Sequence, residues 1–338
     1  MDPMRDTARE LVAPDKGILA ADESTGTIKK RFDQIDVEST EESRRAYRQM
    51  LFTTPGVGEH ISGVILYDET IRQSGDDGTP FPEVLEKAGM IPGIKVDTGA
   101  KPLASFPEET ITEGLDGLRE RLAEYRDLGA RFAKWRATYI IGQDIPTEFA
   151  ILANGHAMAR YAALCQEAQI VPIVEPEVLM DGDHGIEACE TATGRALEVL
   201  FTQMLAHRID LSGSLLKVNM VVPGKGSANQ VDDATIADAT LRVLSAYVPA
   251  EVPGVVFLSG GMTDEEATSR LNEMNRRGGA SWELSFSYGR ALQQPSLKAW
   301  SGRAENVEAG QAALAHRARM NGLARSGAWS PDMESNAA

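Results

Sequence analysis

Eight short apolar runs, each separated from the next by longer and more polar sequence, constrain the fold of this chain more than any other feature. They begin GILAAD at 17, GVILYD at 63, IPGIKVD at 91, FAKWRAT at 132, IVPIVEP at 170, LLKVNMVV at 215, GVVFLSG at 254 and WELSFSYG at 282. Runs of this length, rich in Val, Ile and aromatic residues, read as buried strands. Stretches between them, such as 113–129, 149–168 and 194–208, repeat apolar residues at helical spacing. Strand followed by helix, eight times over 338 residues, predicts a single (β/α)8 TIM barrel. An open doubly wound sheet is the alternative, but no G-x-G-x-x-G follows the first strand. With no internal boundary or repeat, we expect a barrel over residues 1–325 that includes an N-terminal helical extension. Residues 326–338, ending SPDMESNAA, are expected to form a mobile C-terminal tail.

Charge and composition narrow the partners. The net charge of −16 and isoelectric point near 4.8 oppose nucleic acid or an anionic membrane as the main partner, so an anionic substrate would need a local basic pocket. Cys165 and Cys189 are too few for a disulfide framework and are expected to be free thiols in a reducing compartment. The opening MDPMRDTARELV has no apolar core of signal-peptide length, and no stretch approaches the ~20 apolar residues of a spanning helix. A soluble, cytoplasmic protein is the expectation.

Within that frame one residue is out of place. Lys217 lies in the apolar run 215–222, where a charge is costly unless it is paired or neutralised. A lysine in a strand can simply snorkel or pair with a carboxylate. It can also serve as a Schiff-base nucleophile, because only a neutral amine attacks a carbonyl, and desolvation with a neighbouring cation favours that form. Residues two apart on a barrel strand share a face. Lys95 with Asp97, Lys134 with Arg136, Glu175 with Glu177 and Lys217 with Asn219 are four such pairs, on strands three to six near their C-terminal ends. Any one pair could be a structural ion-pair layer; four in succession point to an active site at the C-terminal face.

Two segments suggest anion binding. Ser259-Gly260-Gly261 after strand seven and Ser287-Tyr288-Gly289-Arg290 after strand eight both open helical stretches. Exposed amides at such glycines, with Arg290 beside them, favour a phosphate. After strand one, Ser24, Thr27, Lys29, Lys30 and Arg31 could hold a second phosphate or form only a helix N-cap with a basic turn.

The ordered segments ADESTGTIKKR, GIKVDTG, FAKWRA, EPEVLMDGDH, LLKVNM, LSGGMTDEEA and SFSYGRALQ, spread from residue 21 to 293, resemble the class I fructose-bisphosphate aldolases. The resemblance implies a metal-independent lyase with no cofactor, acting on a phosphorylated sugar in glycolysis and gluconeogenesis and assembled as a homotetramer. It implies that Lys217 forms an iminium with the C2 ketone of fructose 1,6-bisphosphate, that Glu175 shuttles protons, and that Asp22 assists at the C4 hydroxyl. Glu177 and Lys134 would support the shuttle, Lys134 as the cation favouring neutral Lys217. A crowded site would hold one carboxyl protonated and the other ionised. Ser259, Gly260, Gly261 and Arg290 would hold one phosphate; Ser24, Thr27, Arg31, Lys95 and Arg136 are candidates for the other end.

Departures from the family pattern temper these expectations. Animal members end in a tyrosine that reaches the site, whereas this sequence ends Asn336-Ala337-Ala338 with Trp329 its last aromatic. Val218 replaces the proline usual after the Schiff-base lysine, and Thr98 stands where another lysine is common. Asp181-Gly182-Asp183-His184 resembles a metal-binding set, but the five histidines include no close pair with zinc-ligand spacing. Gly224-Lys225-Gly226-Ser227 fails as a nucleotide loop, because position 219 is Asn and 226 is Gly. A barrel retained only for binding is opposed by the intact set Asp22, Lys134, Glu175 and Lys217, and the motifs of other Schiff-base barrel enzymes are missing.

Overall fold

The structure, a computed structural model, describes residues 2–336. Eight parallel strands, β1 (Gly17–Ala20), β2 (Ile61–Leu66), β3 (Ile91–Lys95), β4 (Phe132–Tyr139), β5 (Val171–Val178), β6 (Leu215–Val218), β7 (Gly254–Phe257) and β8 (Glu283–Tyr288), close in sequence order, β8 pairing with β1. Closure excludes the doubly wound alternative, and the fold is the (β/α)8 barrel expected.

Why the barrel is solid is visible in its lower half. Ile18, Ile65, Phe132, Val171, Ile173, Leu215 and Val256 fill the interior, and Met4, Ala8, Leu11 and Val12 cover that layer from below. The last group comes mainly from the N-terminal helix Pro3–Leu11, started by Asp2, whose carboxylate accepts from Met4 N–H, and by Pro3 at its first position. The Phe132 ring fits only because Gly63 and Gly93 lack side chains; a Cβ on Gly93 would overlap it.

Two boundaries differ from the sequence reading. Residues 113–129 were expected as one helix, but the helix is Leu118–Asp127 and Thr110–Glu113 pairs antiparallel with Gly99–Pro102 as a hairpin above the barrel. Gly114 and Gly117 explain the break, since both take positive φ, 127° and 63°. The helix expected from 194 begins at Ile186, just after Gly185. Cys165 and Cys189 are buried free thiols on helices, and burial pushes both up in pKa.

The segment after residue 325, expected as a tail, lies against the barrel as far as it is described. Glu334 meets the Arg317 guanidinium, His316 Nε2 at 3.0 Å and Trp329 Nε1 at 2.9 Å. Ala337 and Ala338 lie outside the described residues.

Candidate active site

At the C-terminal mouth of the barrel the strands end around a cavity of about 570 Å³, within the range of small-molecule sites. Lys217 reaches it from β6, Glu175 and Glu177 from β5, Lys134 and Arg136 from β4, Lys95 from β3, and Asp22 from just beyond β1. Register explains part of the convergence: Lys95 stands opposite Lys134, and Arg136 opposite Glu175.

The charges form one buried network. Lys217 Nζ lies 3.2 Å from Glu175 Oε1, and Lys134 Nζ lies 3.3 Å from Glu175 Oε2 and 2.8 Å from Asp22 Oδ2. Asp97 completes it, 2.7 Å from Lys95 and 3.9 Å from Lys134. Lys134, Glu175 and Lys217 are only 3%, 3% and 4% exposed. Glu175 Oε2, despite its ammonium neighbour, makes no hydrogen bond of good geometry.

Burial alone would raise the Glu175 pKa, but Lys217, Lys134 and Arg136, in that order, hold it below its ordinary value. Asp22 behaves alike: burial opposes ionisation, and Lys134, Lys217 and Lys95 outweigh it. While the neighbouring lysines carry their charge, both carboxyls are therefore drawn towards the ionised form. Lys134 is pushed well above the ordinary lysine range, its own burial being overcome by Asp22, Glu175 and Asp97. Its charge is matched by carboxylates, so it does not face Lys217 as a bare cation.

Other residues singled out in the sequence have more divided positions. Arg136 and Glu177 are paired to each other at the cavity wall. Ser259, Gly260, Gly261 and Arg290 gather on one side of the mouth, with Arg290 donating to the Gly260 carbonyl. Gly260 takes φ 47°, the left-handed region open to glycine. Ser24, Thr27 and Arg31 line the same cavity. Ser24 also caps the helix Thr25–Phe32, accepting from Thr27 N–H at 3.4 Å, which is the N-cap expected of it. Lys29 does not join them; it pairs with Asp33 at 2.8 Å. Asn219 lines the wall but spends its amide on scaffold, accepting from Val178 N–H at 2.9 Å.

Sequence reasoning missed Glu23 and Arg48. Glu23 is buried between Arg31 and Arg48, with Arg48 Nη2 at 2.6 Å. Its place beside Asp22 was a signal; Arg48, in the middle of the helix Glu41–Phe52, gave none. Ser287 Oγ is buried at the cavity wall without a partner. Asp181, Asp183 and His184 form no ligand set, and among the described residues no three His, Cys, Asp or Glu side chains are grouped to hold a metal ion.

The family model described as "Glycolytic: Fructose-bisphosphate aldolase class-I" matches residues 3–338. The chain belongs to the class I fructose-bisphosphate aldolases. It is 54% identical over 330 residues to a "Probable fructose-bisphosphate aldolase class 1" of Xanthomonas campestris, covering 97% of this chain and 99% of the relative. It is 52% identical to "Fructose-bisphosphate aldolase 4, cytosolic" of Arabidopsis thaliana, covering 97% and 84%. The fructose-bisphosphate aldolase of Plasmodium falciparum superposes with a TM-score of 0.95 at 46% identity, over 97% of this chain and 95% of that one.

Proposed function

We propose that this chain cleaves fructose 1,6-bisphosphate reversibly to dihydroxyacetone phosphate and glyceraldehyde 3-phosphate through an iminium on Lys217. The carrying observation is Glu175, buried between Lys217 at 3.2 Å and Lys134 at 3.3 Å, with Asp22 joined to the same Lys134.

As Lys217 sheds a proton, the strongest pull holding Glu175 ionised disappears and burial reasserts itself. Glu175 is therefore the acceptor for that proton and its later donor. The neutral amine attacks C2, the carbinolamine oxygen leaves as water after protonation, and a cationic C2=N bond forms. Asp22, ionised, takes the C4 hydroxyl proton; the C3–C4 bond breaks, its electrons pass to the iminium, and the aldehyde departs. Protonation of the enamine at C3 and hydrolysis free dihydroxyacetone phosphate and Lys217. Glu177 and Lys134 support the shuttle.

Lys217 stands opposite Val256 on β7, three residues before Ser259. The phosphate next to C2, on C1, is therefore assigned to Ser259, Gly260, Gly261 and Arg290, and the distal phosphate to Ser24, Thr27, Arg31, Lys95 and Arg136. Glu23 holds Arg31 and Glu177 holds Arg136, so a phosphate at this end meets guanidiniums already oriented by carboxylates.

We further propose a cytosolic homotetramer. Phe149, Leu152 and Leu205, 50%, 46% and 59% exposed on neighbouring helices, support burial against another copy. Among the described residues no helix is long and apolar enough to cross a membrane.

The test is borohydride reduction with dihydroxyacetone phosphate, a chelator present, followed by intact and peptide mass. A substrate-dependent adduct on Lys217, missing in Lys217→Met and unaffected by chelator, is expected. Bound substrate without an adduct would overturn the iminium.

A further inference from the structure

The stretch Gly224-Lys225-Gly226-Ser227, unsuited to a nucleotide, sits at the mouth of the same cavity. It is held there by the loop that follows β5. Gly224 N–H donates to the His184 carbonyl at 2.9 Å, Lys225 N–H to Met180 at 2.9 Å, and Gly226 N–H to Gly182 at 2.8 Å. These bonds fix the backbone of Lys225 and aim its side chain across the entrance. Its Cε and Nζ lie over Gly261 so closely that a Cβ there would overlap both.

Two observations mark this ammonium as unspent. Of the carboxylates that share the cavity, Asp22 and Glu175 are engaged by Lys134, Glu177 by Arg136, and Glu23 by Arg31 and Arg48, while Asp181 forms no ion pair with Lys225. Among the described residues Lys225 makes no ion pair, as Lys30 and Arg290 on the same wall make none, whereas Lys95, Lys134 and Lys217 are matched by carboxylates. In addition, the Gly261 amide, which faces the same spot, donates only to Met180 Sδ at 3.0 Å. A thioether is a weak acceptor, readily exchanged for an anionic oxygen.

We propose that Lys225 is a further phosphate-binding, specificity-determining residue. Its ammonium closes over the phosphate on C1 from the solvent side while Gly261 N–H gives up Met180 for a phosphate oxygen. This rests on the assignment of that phosphate to Ser259, Gly260, Gly261 and Arg290. Lys225 acts through charge, at an exposed position, and its effect is on binding of the phosphate-bearing ketone rather than on the reacting carbons.

The test measures dihydroxyacetone phosphate binding by calorimetry at two salt concentrations for the wild type, Lys225→Met, Lys225→Arg and Arg290→Ala. Borohydride trapping of unphosphorylated dihydroxyacetone on Lys217 is followed alongside. Lys225→Met is expected to weaken dihydroxyacetone phosphate about tenfold, the scale of one charge-assisted contact at a partly solvated site. Its salt dependence should be shallower, Lys225→Arg should recover most of the affinity, and trapping of the unphosphorylated ketone should be unchanged. Normal binding in Lys225→Met with weak binding in Arg290→Ala would overturn the role of Lys225 and leave the phosphate assignment standing. Normal binding in both would overturn the assignment itself. Equal losses with phosphorylated and unphosphorylated ketone would show a disturbed loop and overturn the proposal.

Discussion

Lys134 holds Asp22 at 2.8 Å, Glu175 at 3.3 Å and Asp97 at 3.9 Å while almost wholly buried, so its removal leaves Asp22 without an ion pair and Glu175 and Asp97 with one lysine each, Lys217 and Lys95. Loss of one partner from a buried ionic group typically costs about 3–5 kcal/mol, and Lys134→Met is expected to fall in that range by chemical denaturation. Glu175 and Asp22 should separate by step. Glu175→Gln is expected to slow borohydride trapping as well as cleavage, by roughly 10²–10⁴ in rate, because the proton leaving Lys217 loses its acceptor. Asp22→Asn should still be trapped by dihydroxyacetone phosphate yet fail to cleave the hexose. Equal loss of trapping and cleavage in Asp22→Asn would remove it from the C4 hydroxyl. Lys217, Lys134, Glu175 and Glu177 were legible because charge inside an apolar run is anomalous by itself. Arg48 and Met180 were not, since neither an arginine in a helix nor a methionine in a loop departs from what the local sequence allows.

At the scale of elements, the barrel depends on close packing at few positions. Gly93→Ala would press a methyl into the Phe132 ring, and overpacking of this kind costs about 1–3 kcal/mol. Phe132→Leu should recover part of that loss when combined with it, so a double-mutant cycle by thermal denaturation reads the contact directly. The hairpin Gly99–Pro102 with Thr110–Glu113 escaped the sequence reading for a related reason. Its strands are four residues each, the first largely exposed and the second only partly buried, so they carry no apolar run and little alternation, and Gly114 and Gly117 decide where the following helix starts.

For the whole molecule, the buried carboxylates make a prediction about acid. Asp22, Glu23 and Glu175 are each held below the ordinary carboxylate value, burial being outweighed by Lys134 and Lys217, by Arg31 and Arg48, and by Lys217 and Lys134 respectively. A group lowered on folding binds its proton more readily when unfolded. Its contribution is therefore complete above the unfolded value, near pH 4, and is lost as pH falls through the lower folded values. Denaturation midpoints should hold between about pH 6 and 8 and drop steeply below about pH 4. In Glu23→Gln that acid slope should be shallower. We propose that residues 1–325 fold as one unit, and a single cooperative transition followed by two probes would support it.

The sequence by itself determined the eightfold alternation of strand and helix and therefore the barrel, because periodicity is a local property written residue by residue. It also marked Lys217 and its charged companions, since an ionisable group in an apolar strand must be paired or used. Only the tertiary structure decided which charges meet: that Glu175 lies between two lysines, that Glu23 is clasped by Arg31 and Arg48, and that Lys225 is carried over Gly261 by bonds to a loop more than 40 residues earlier. Those pairings depend on strand register, barrel closure and loop contacts between distant segments, and no local pattern records them.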